Sequence, residues 1–240
     1  MSISRSLSDL QLEIRNECLA AGRDPESVRL LLATKTVEPA RIAEALKAGH
    51  RLLGENKVQE LKRKFTELEP LQPEWHFIGH LQSNKVKDIL PHIQMLHSLD
   101  RMSLVKELNR RLQDQGRTLD VLVQVNSSNE ASKFGLPPEA VADFVETLKG
   151  YPTLKVKGLM TLALFSSDEY RVRECFQKMK RLFEELKGDR FTHVEMKELS
   201  MGMSSDYKWA IAEGATLLRV GTKIFGQRPY PDSYYWPEEK

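Results

Sequence analysis

The sequence has little of several features that mark specialised classes of protein. Cysteine occurs only twice in 240 residues, at Cys18 and Cys175, which argues against a disulfide-rich secreted scaffold and favours a cytoplasmic protein. No strictly apolar run is longer than four residues, so we expect neither a membrane span nor a secretory signal. An excess of one charge is also missing, since 36 Lys and Arg accompany 34 Asp and Glu. A chain so close to neutral has no general attraction to nucleic acid or acidic lipid.

Recognisable metal and dinucleotide motifs are missing as well. The six histidines include no HExxH pair and no Cys–His ligand cluster, so we predict no metal site. His76 and His80 lie around one predicted strand and its loop, which favours roles in packing or at a pocket rim. The basic run at residues 57–64 is typical of the solvated face of a helix.

The residues that are present predict one folded domain over residues 1–240. Hydrophobic residues make up 40% of the chain and charged residues 29%, a balance that suits a folded protein with a sizeable core. Residues 1–22 are expected to form a leading amphipathic helix, because apolar residues recur at helical spacing, at Leu7, Leu10, Ile14, Cys18 and Ala21. Residues 229–240 are rich in Pro and Tyr and are expected to form an irregular surface tail.

Between these two ends, short apolar runs alternate with helical stretches. Strands are predicted at residues 29–34, 51–54, 75–79, 95–100, 119–126 and 154–160, within residues 192–203, and at residues 216–221. Strands that alternate with helices indicate parallel βαβ units, which form either a closed barrel or an open doubly wound sheet. The count reaches eight, no GxGxxG follows the first strand, and polar residues end many strands. We therefore predict an α/β protein with a single (β/α)8 TIM barrel.

Lys35 is the most informative single residue, because it directly follows the first predicted strand. A side chain at that position of a barrel lies at the carboxyl-terminal mouth, where active sites form. Partial desolvation there favours the neutral amine and permits formation of a Schiff base. A lysine that extends from the strand end into solvent is the alternative, and position alone does not separate the two.

Two turns late in the chain combine glycine with hydroxyl residues. LSMGMSSD follows the seventh predicted strand and RVGTKIFG follows the eighth, and loops at these places commonly bind phosphate in barrels. Glycine permits close approach of the backbone, and successive N–H groups can surround an anion. A phosphorylated aldehyde would satisfy these turns and Lys35 together. Pyridoxal 5′-phosphate (PLP) is the common cofactor of that description.

Arg219 lies in the eighth predicted strand, two residues before Gly221, so the two residues face the same way. A guanidinium stays protonated at ordinary pH. If it faces a pyridine nitrogen, that nitrogen stays unprotonated and the ring becomes a poor electron sink. The alternative is a structural arginine that pairs with a carboxylate such as Glu195 or Glu198.

Seven ordered motifs resemble those of a known family over nearly the whole chain. They are LLATKT around Lys35, GEN at 54–56, WHFIGHLQSNK at 75–85, HSLDR at 97–101, GLMTLA at 158–163, LSMGMSSDYKWAI at 199–211, and RVGTKIFG at 219–226. Together they are similar to the pyridoxal phosphate homeostasis proteins, also called the proline-synthase co-transcribed family. The resemblance implies a PLP fold-type III barrel like the N-terminal domain of alanine racemase.

The same resemblance implies which residues bind the cofactor. Lys35 is implied to hold PLP as an internal aldimine, and Arg219 to face the pyridine nitrogen. The resemblance also implies that Asn56 lines the pocket and that Ser200, Gly221 and Thr222 bind the phosphate. Met160 and Met201 are implied to be apolar residues close to the cofactor.

The resemblance also implies a PLP-binding protein of intracellular homeostasis without robust catalytic turnover. Racemases and decarboxylases of this fold type carry a second, β-rich domain, which in racemases supplies a tyrosine base. The sequence ends about fifteen residues after the last motif, so we expect that domain to be missing and α-proton exchange to be slow. An amino-acid racemase of the same fold is one alternative, and a Schiff-base aldolase that lacks the pyridine ring is another.

The expected partners follow from this interpretation. PLP is the expected ligand, and PLP-dependent apo-enzymes would be its recipients. We expect no binding to nucleic acid or membranes, and we expect a monomer.

Overall fold

Eight parallel strands form a closed barrel in the computed structural model, which describes residues 2–227. The strands are β1 (Arg29–Ala33), β2 (Leu52–Glu55), β3 (Glu74–Phe77), β4 (Met95–Leu99), β5 (Leu119–Val125), β6 (Leu154–Thr161), β7 (Glu198–Ser200) and β8 (Leu217–Val220). Each strand pairs with the next along the chain, and β1 also pairs with β8, which closes the sheet. The predicted barrel is confirmed, and the open doubly wound sheet is wrong.

Helices follow the strands and cover the outside of the barrel. They are α1 (Ile3–Ala20), α2 (Pro39–Lys47), α3 (Val58–Leu68), α4 (Val86–Ile89), α5 (Met102–Asp114), α6 (Val141–Thr147), α7 (Glu169–Glu185), α8 (Tyr207–Ala212) and α9 (Thr222–Phe225). Helix α4 is a single turn after the short 3-10 helix Ser83–Lys85, because Pro91 cannot continue it. Helix α9 was not predicted from the sequence. The irregular tail predicted at residues 229–240 lies outside the described residues.

Helix α1 lies against the barrel at its outer layer and packs on α2, α8 and α9. The residues at its helical spacing, from Leu7 to Cys18, are buried as the sequence predicts, but Ala21 lies just after the last helical turn and is exposed. Cys18 and Cys175 are both buried and reduced. Among the described residues, no helix combines the length and the apolar character needed to cross a bilayer.

The interior of the barrel changes character along its axis. Two small apolar clusters lie inside it, one formed by Leu31, Leu52 and Leu217 with Ile78, and the other by Met95, Leu122 and Met160. Because side chains alternate along a strand, Arg219 lies one layer above Leu217 in the same interior. The outward-facing side chains pack with the helices in one large apolar core. The interior therefore combines apolar clusters with buried polar groups.

Gly158 shows how closely two strands approach. It has a φ of +153°, and a Cβ added there would lie 1.8 Å from the carbonyl oxygen of Glu198 on β7. We expect Gly158→Ala to lower the free energy of unfolding by about 3 kcal/mol, because strained backbone and overpacking each cost on the order of 1–3 kcal/mol. Urea denaturation measures this.

Gly150 provides the control for that substitution. A Cβ at Gly150 would meet nothing within 4 Å. Gly150→Ala is expected to change the free energy by at most about 0.5 kcal/mol, as for ordinary surface substitutions. Equal effects of the two substitutions would contradict the packing argument at β6 and β7.

Candidate PLP-binding site

The predicted site residues gather at the mouth, the end of the barrel where the strands terminate at their carboxyl ends. Continuing the alternation of interior and exterior side chains along each strand places most of them on the interior side. These are Lys35 after β1, Asn56 after β2, Met160 in β6, Ser200 in β7, and Arg219 and Gly221 in and after β8. The closed barrel therefore brings residues from distant parts of the sequence to one place.

Lys35 is half-buried in the turn that follows β1. The next residue, Thr36, has a φ of +64°, in the left-handed region that β-branched residues rarely adopt. Its backbone N–H donates to Glu60 Oε2 at 2.9 Å. Conformations of this kind persist where the surrounding structure holds them, and they concentrate at functional sites.

The turn after β8 touches the end of β1. A Cβ added to Gly221 would lie 2.8 Å from the carbonyl oxygen of Ala33, two residues before Lys35, so glycine permits this approach. The Gly221 N–H also donates to Ser204 Oγ at 3.4 Å, which joins the turns after β7 and β8. The turns predicted to bind phosphate therefore lie together and beside the segment that carries Lys35.

Arg219 is buried inside the barrel and makes two hydrogen bonds through its guanidinium. It donates to Ser200 Oγ at 2.7 Å and to the carbonyl oxygen of Thr161 at 2.7 Å. Burial lowers the pKa of Arg219 to about 10, so the group is positively charged at neutral pH.

The alternative pairing of Arg219 with a glutamate is wrong. Glu198 lies 2.8 Å from Arg29 Nη2, and Glu195 pairs with Lys157 and Lys197. Both carboxylates therefore have other cationic partners. Arg219 instead holds a serine hydroxyl and a strand carbonyl, with its charge enclosed by the barrel.

A chain of hydrogen bonds connects Arg219 to the opposite end of the barrel. Ser200 Oγ lies 3.2 Å from His97 Nδ1, His97 Nε2 lies 2.9 Å from His76 Nδ1, and His76 Nε2 lies 3.1 Å from Glu74 Oε1. Arg219 can only donate at one end of this chain, and the ionised Glu74 can only accept from His76 Nε2 at the other. Burial lowers the pKa of His97 and favours its neutral ring, in which one nitrogen donates and the other accepts. The hydrogen bond from His76 is the main cause of the lowered pKa of Glu74.

His97 should make the protein sensitive to acid. Burial lowers its pKa well below the ordinary value, so the folded protein keeps this ring neutral. The unfolded chain takes up the proton below about pH 6.5, and the free energy of unfolding therefore falls as pH drops below that value. We expect His97→Gln, which retains an acceptor and a donor, to flatten this fall by up to about 1.4 kcal/mol per pH unit between pH 6 and pH 5.

Urea denaturation at pH 7.5, 6 and 5 tests this expectation. Burial also lowers the pKa values of His50, His80 and His92, so the variant should keep part of the acid sensitivity. Parallel curves for the wild type and His97→Gln would contradict the assignment of a neutral His97.

Asn56 provides a polar atom that the fold leaves unsatisfied. Its Oδ1 is buried and has no hydrogen-bond partner. The loop after β3 lies close by, since a Cβ added to Gly79 would be 2.1 Å from the backbone oxygen of Asn56. Buried polar groups without partners are rare in proteins, and a bound ligand can satisfy this one.

The remaining predicted residues differ in their surroundings. Met160 lies in the barrel interior beside Met95 and Leu122. Met201 is buried in the large apolar core that includes the helices, which places it away from the interior that holds Ser200. Thr222 begins helix α9, directly after Gly221.

Sequence reasoning missed Lys64, and the expectation that the basic run 57–64 is wholly solvated was wrong. Lys64 is fully buried and contacts Glu55 and Glu60. Helical spacing could have predicted its burial, because Leu61, Lys64 and Leu68 recur at spacings of three and four on the buried side of α3. The basic run therefore contains one residue, Lys64, that lies on the apolar face of the helix.

Over residues 2–227, no three His, Cys, Asp or Glu side chains are arranged to hold a metal ion.

Comparison with known proteins identifies the class of barrel. Residues 23–229 match the family model described as "Alanine racemase, N-terminal domain". Alanine racemase from Corynebacterium glutamicum has the same fold, with a TM-score of 0.66 at 13% identity over 96% of this chain and 62% of the racemase. The fold and the site at the strand ends thus define a barrel of the alanine racemase type.

Proteins that are more similar to this chain show which family within this class it belongs to. The pyridoxal phosphate homeostasis protein of Aquifex aeolicus is 41% identical over 96% of this chain and 100% of its own length. PipY of Synechococcus elongatus, in its structure with PLP bound, is 33% identical with a TM-score of 0.81, over 93% of this chain and 100% of PipY. This chain belongs to the family of pyridoxal phosphate homeostasis proteins.

Proposed function

We propose that this protein binds PLP through Lys35 and serves intracellular PLP homeostasis without robust catalytic turnover. The observation that carries the proposal is the contact of Gly221 with the end of β1, two residues before Lys35. It supports a site in which one small molecule reaches both the amine and the phosphate-binding turn. The names of the relatives and the PLP bound to PipY point the same way.

The residues at the mouth fit PLP. The unsatisfied Oδ1 of Asn56 offers a polar contact, and Arg219 supplies a buried positive charge. Gly221 has no side chain to cover its backbone, so a ligand can approach the backbone closely there. When bound, PLP supplies an aldehyde that reacts reversibly with amines and a pyridine ring that can withdraw electrons. Ser200, Gly221 and Thr222 would hold the phosphate, and Met160 is proposed to lie close to the cofactor. The Met201 side chain, which the sequence also assigned there, packs instead in the large apolar core.

Lys35 and Arg219 would have different chemical roles. The Lys35 amine would attach to the aldehyde carbon, with the carbonyl oxygen released as water. Arg219 would donate a hydrogen bond to the ring nitrogen and, being positively charged, would keep that nitrogen unprotonated. This would lower the capacity of the ring to accept electrons, which supports binding without rapid α-proton exchange.

An absorbance spectrum with and without borohydride tests the proposal. Protein mixed with PLP is expected to turn yellow, and borohydride should bleach the colour and leave the reduced cofactor on the Lys35 peptide in mass spectra. A wild-type protein that stays colourless with added PLP would refute the proposal and favour a Schiff-base aldolase. Deuterium exchange at the α-carbon of amino acids far above the rate with free PLP would instead favour a racemase.

The cellular setting is part of the same proposal. Two buried, reduced cysteines support a cytoplasmic protein. Water can hydrolyse the covalent bond to PLP, which supports release of PLP to apo-enzymes. Transfer assays with a purified apo-enzyme would measure this release.

We propose that the protein is a monomer, and light scattering after gel filtration would show a mass near 27.6 kDa if this is correct.

A further inference from the structure

A buried charged cluster lies beneath the turn that carries Lys35. Lys64 on α3 is fully buried, and its Nζ donates three hydrogen bonds. The acceptors are the carbonyl oxygen of Thr34 at 2.7 Å, Glu55 Oε1 at 2.6 Å and Glu60 Oε2 at 2.6 Å. Glu55 is also fully buried, and Glu60 lies at the edge of the cluster and is partly buried. We call Glu55, Glu60 and Lys64 the buried triad.

The buried triad holds the peptide groups on both sides of Lys35. Lys64 binds the carbonyl oxygen of the residue before it, Thr34, and Glu60 accepts from the N–H of the residue after it, Thr36, at 2.9 Å. The Thr34 hydroxyl also donates to Glu55 Oε1 at 2.7 Å. Thr36 has a φ of +64°, so the bond to Glu60 maintains a backbone conformation that the residue does not prefer.

The same triad reaches a second residue of the proposed site. Glu55 Oε2 accepts from the backbone N–H of Asn56 at 3.1 Å. The segments after β1 and β2, which carry Lys35 and Asn56, are therefore fastened to one group of side chains on β2 and α3.

Net stability does not account for this arrangement. A buried ion pair loses so much hydration that apolar residues of similar volume often stabilise a protein equally well. Burial raises the pKa of Glu55, which shows the cost of placing a carboxylate here. What an apolar replacement cannot supply is a set of directed hydrogen bonds to the backbone around Lys35.

We propose that Lys64 and Glu60 are positioning residues that fix the backbone on either side of Lys35 and so direct its amine to the cofactor. The proposal rests on the proposed function in taking Lys35 as the reactive group. Misplacement of a reacting group by about 1 Å can slow a reaction by on the order of a hundredfold. The triad thus acts on the rate of attachment at Lys35, through the backbone and without touching the cofactor.

The test compares Lys64→Met, Glu60→Ala and Glu60→Gln with the wild type. Stopped-flow absorbance gives the rate at which PLP becomes attached, and borohydride trapping with mass spectrometry gives the fraction attached at Lys35. Lys64→Met and Glu60→Ala should slow attachment at Lys35 by about ten- to a hundredfold. Glu60→Gln retains an oxygen that accepts from Thr36 and should remain close to the wild type.

Leu108→Ala on α5 is the matched control for lost stability. Leu108 is fully buried and belongs to the apolar core, and the triad lies on other elements. Its loss should lower the melting temperature without changing the rate of attachment. If Lys64→Met does not fold, the pair Glu60→Ala and Glu60→Gln decides. Folded Lys64→Met or Glu60→Ala protein that attaches PLP at the wild-type rate would overturn the proposal.

A measurement without PLP separates this proposal from the proposed function. Reductive methylation with formaldehyde and cyanoborohydride, followed by peptide mass spectrometry, reports the reactivity of Lys35 relative to exposed Lys47 across pH. If the wild type attaches no PLP at Lys35, the proposed function fails. The positioning role then stands only if Glu60→Ala changes the methylation profile of Lys35 and Glu60→Gln does not.

Discussion

Replacing Lys35 with alanine is expected to abolish covalent attachment of PLP and leave the mixed protein colourless after removal of free cofactor. The substitution removes the amine proposed to add to the aldehyde, while Gly221 and Arg219 retain their places in β8 and its turn. Borohydride should then incorporate no reduced cofactor above background, as measured by intact mass. Weak, reversible binding through the phosphate should remain visible by equilibrium dialysis.

Lys35→Arg is the matched control for charge. Arginine keeps a positive charge at this position but stays protonated, so it cannot add to an aldehyde. It should be as colourless as Lys35→Ala, with stronger reversible binding because of its charge. A Lys35→Ala protein that keeps the wild-type spectrum, with PLP trapped on another lysine, would contradict the assignment.

Arg219→Met is expected to weaken PLP binding by about ten- to a hundredfold. A hydrogen bond from a charged group contributes on the order of 1.5–3 kcal/mol, and this substitution removes the donor proposed for the ring nitrogen. It also leaves Ser200 without the donor that orients its hydroxyl. Titration of the absorbance band measures the dissociation constant, and near-ultraviolet circular dichroism verifies that the variant is folded.

Arg219→Glu separates the electronic role of the arginine from its contribution to affinity. A buried carboxyl group can place a proton near the ring nitrogen, which would make the ring a better electron sink. Deuterium exchange at the α-carbon of amino acids should therefore be faster per bound cofactor in Arg219→Glu than in the wild type or Arg219→Met. Equal exchange rates in all three proteins would show that Arg219 does not face the ring nitrogen.

The barrel was predictable because its strands and helices carry strong local patterns. The run at 30–33 is apolar and is followed by polar residues, and the fifth strand at 119–125 is rich in leucine and valine. The position after a strand pointed to Lys35, and strand parity and the glycine turns pointed to Arg219 and Gly221. Asn56 and Met160 were assigned only through the resemblance to a family. The single turn of α4 and the short α9 were not, because helices of four residues have too few positions to show a period.

The polar contacts inside the barrel could not be predicted from the sequence. Bonding of Arg219 to Ser200 and Thr161 rather than to a glutamate depends on how three strands meet, and local spacing carries no such information. The pairing of His76 with His97 has the same origin. Lys64 differs, since helical spacing placed it among buried leucines and only its charge suggested exposure.

Closure of the barrel by β1 and β8 has a consequence during synthesis. The last strand supplies Arg219 and leads into Gly221, which packs on the first strand, so a growing polypeptide lacks these parts until that strand has left the ribosome. A nascent chain that exposes Lys35 before β8 is synthesised would lack half of the proposed site. Retention of the ligand therefore requires the first and last strands to be paired.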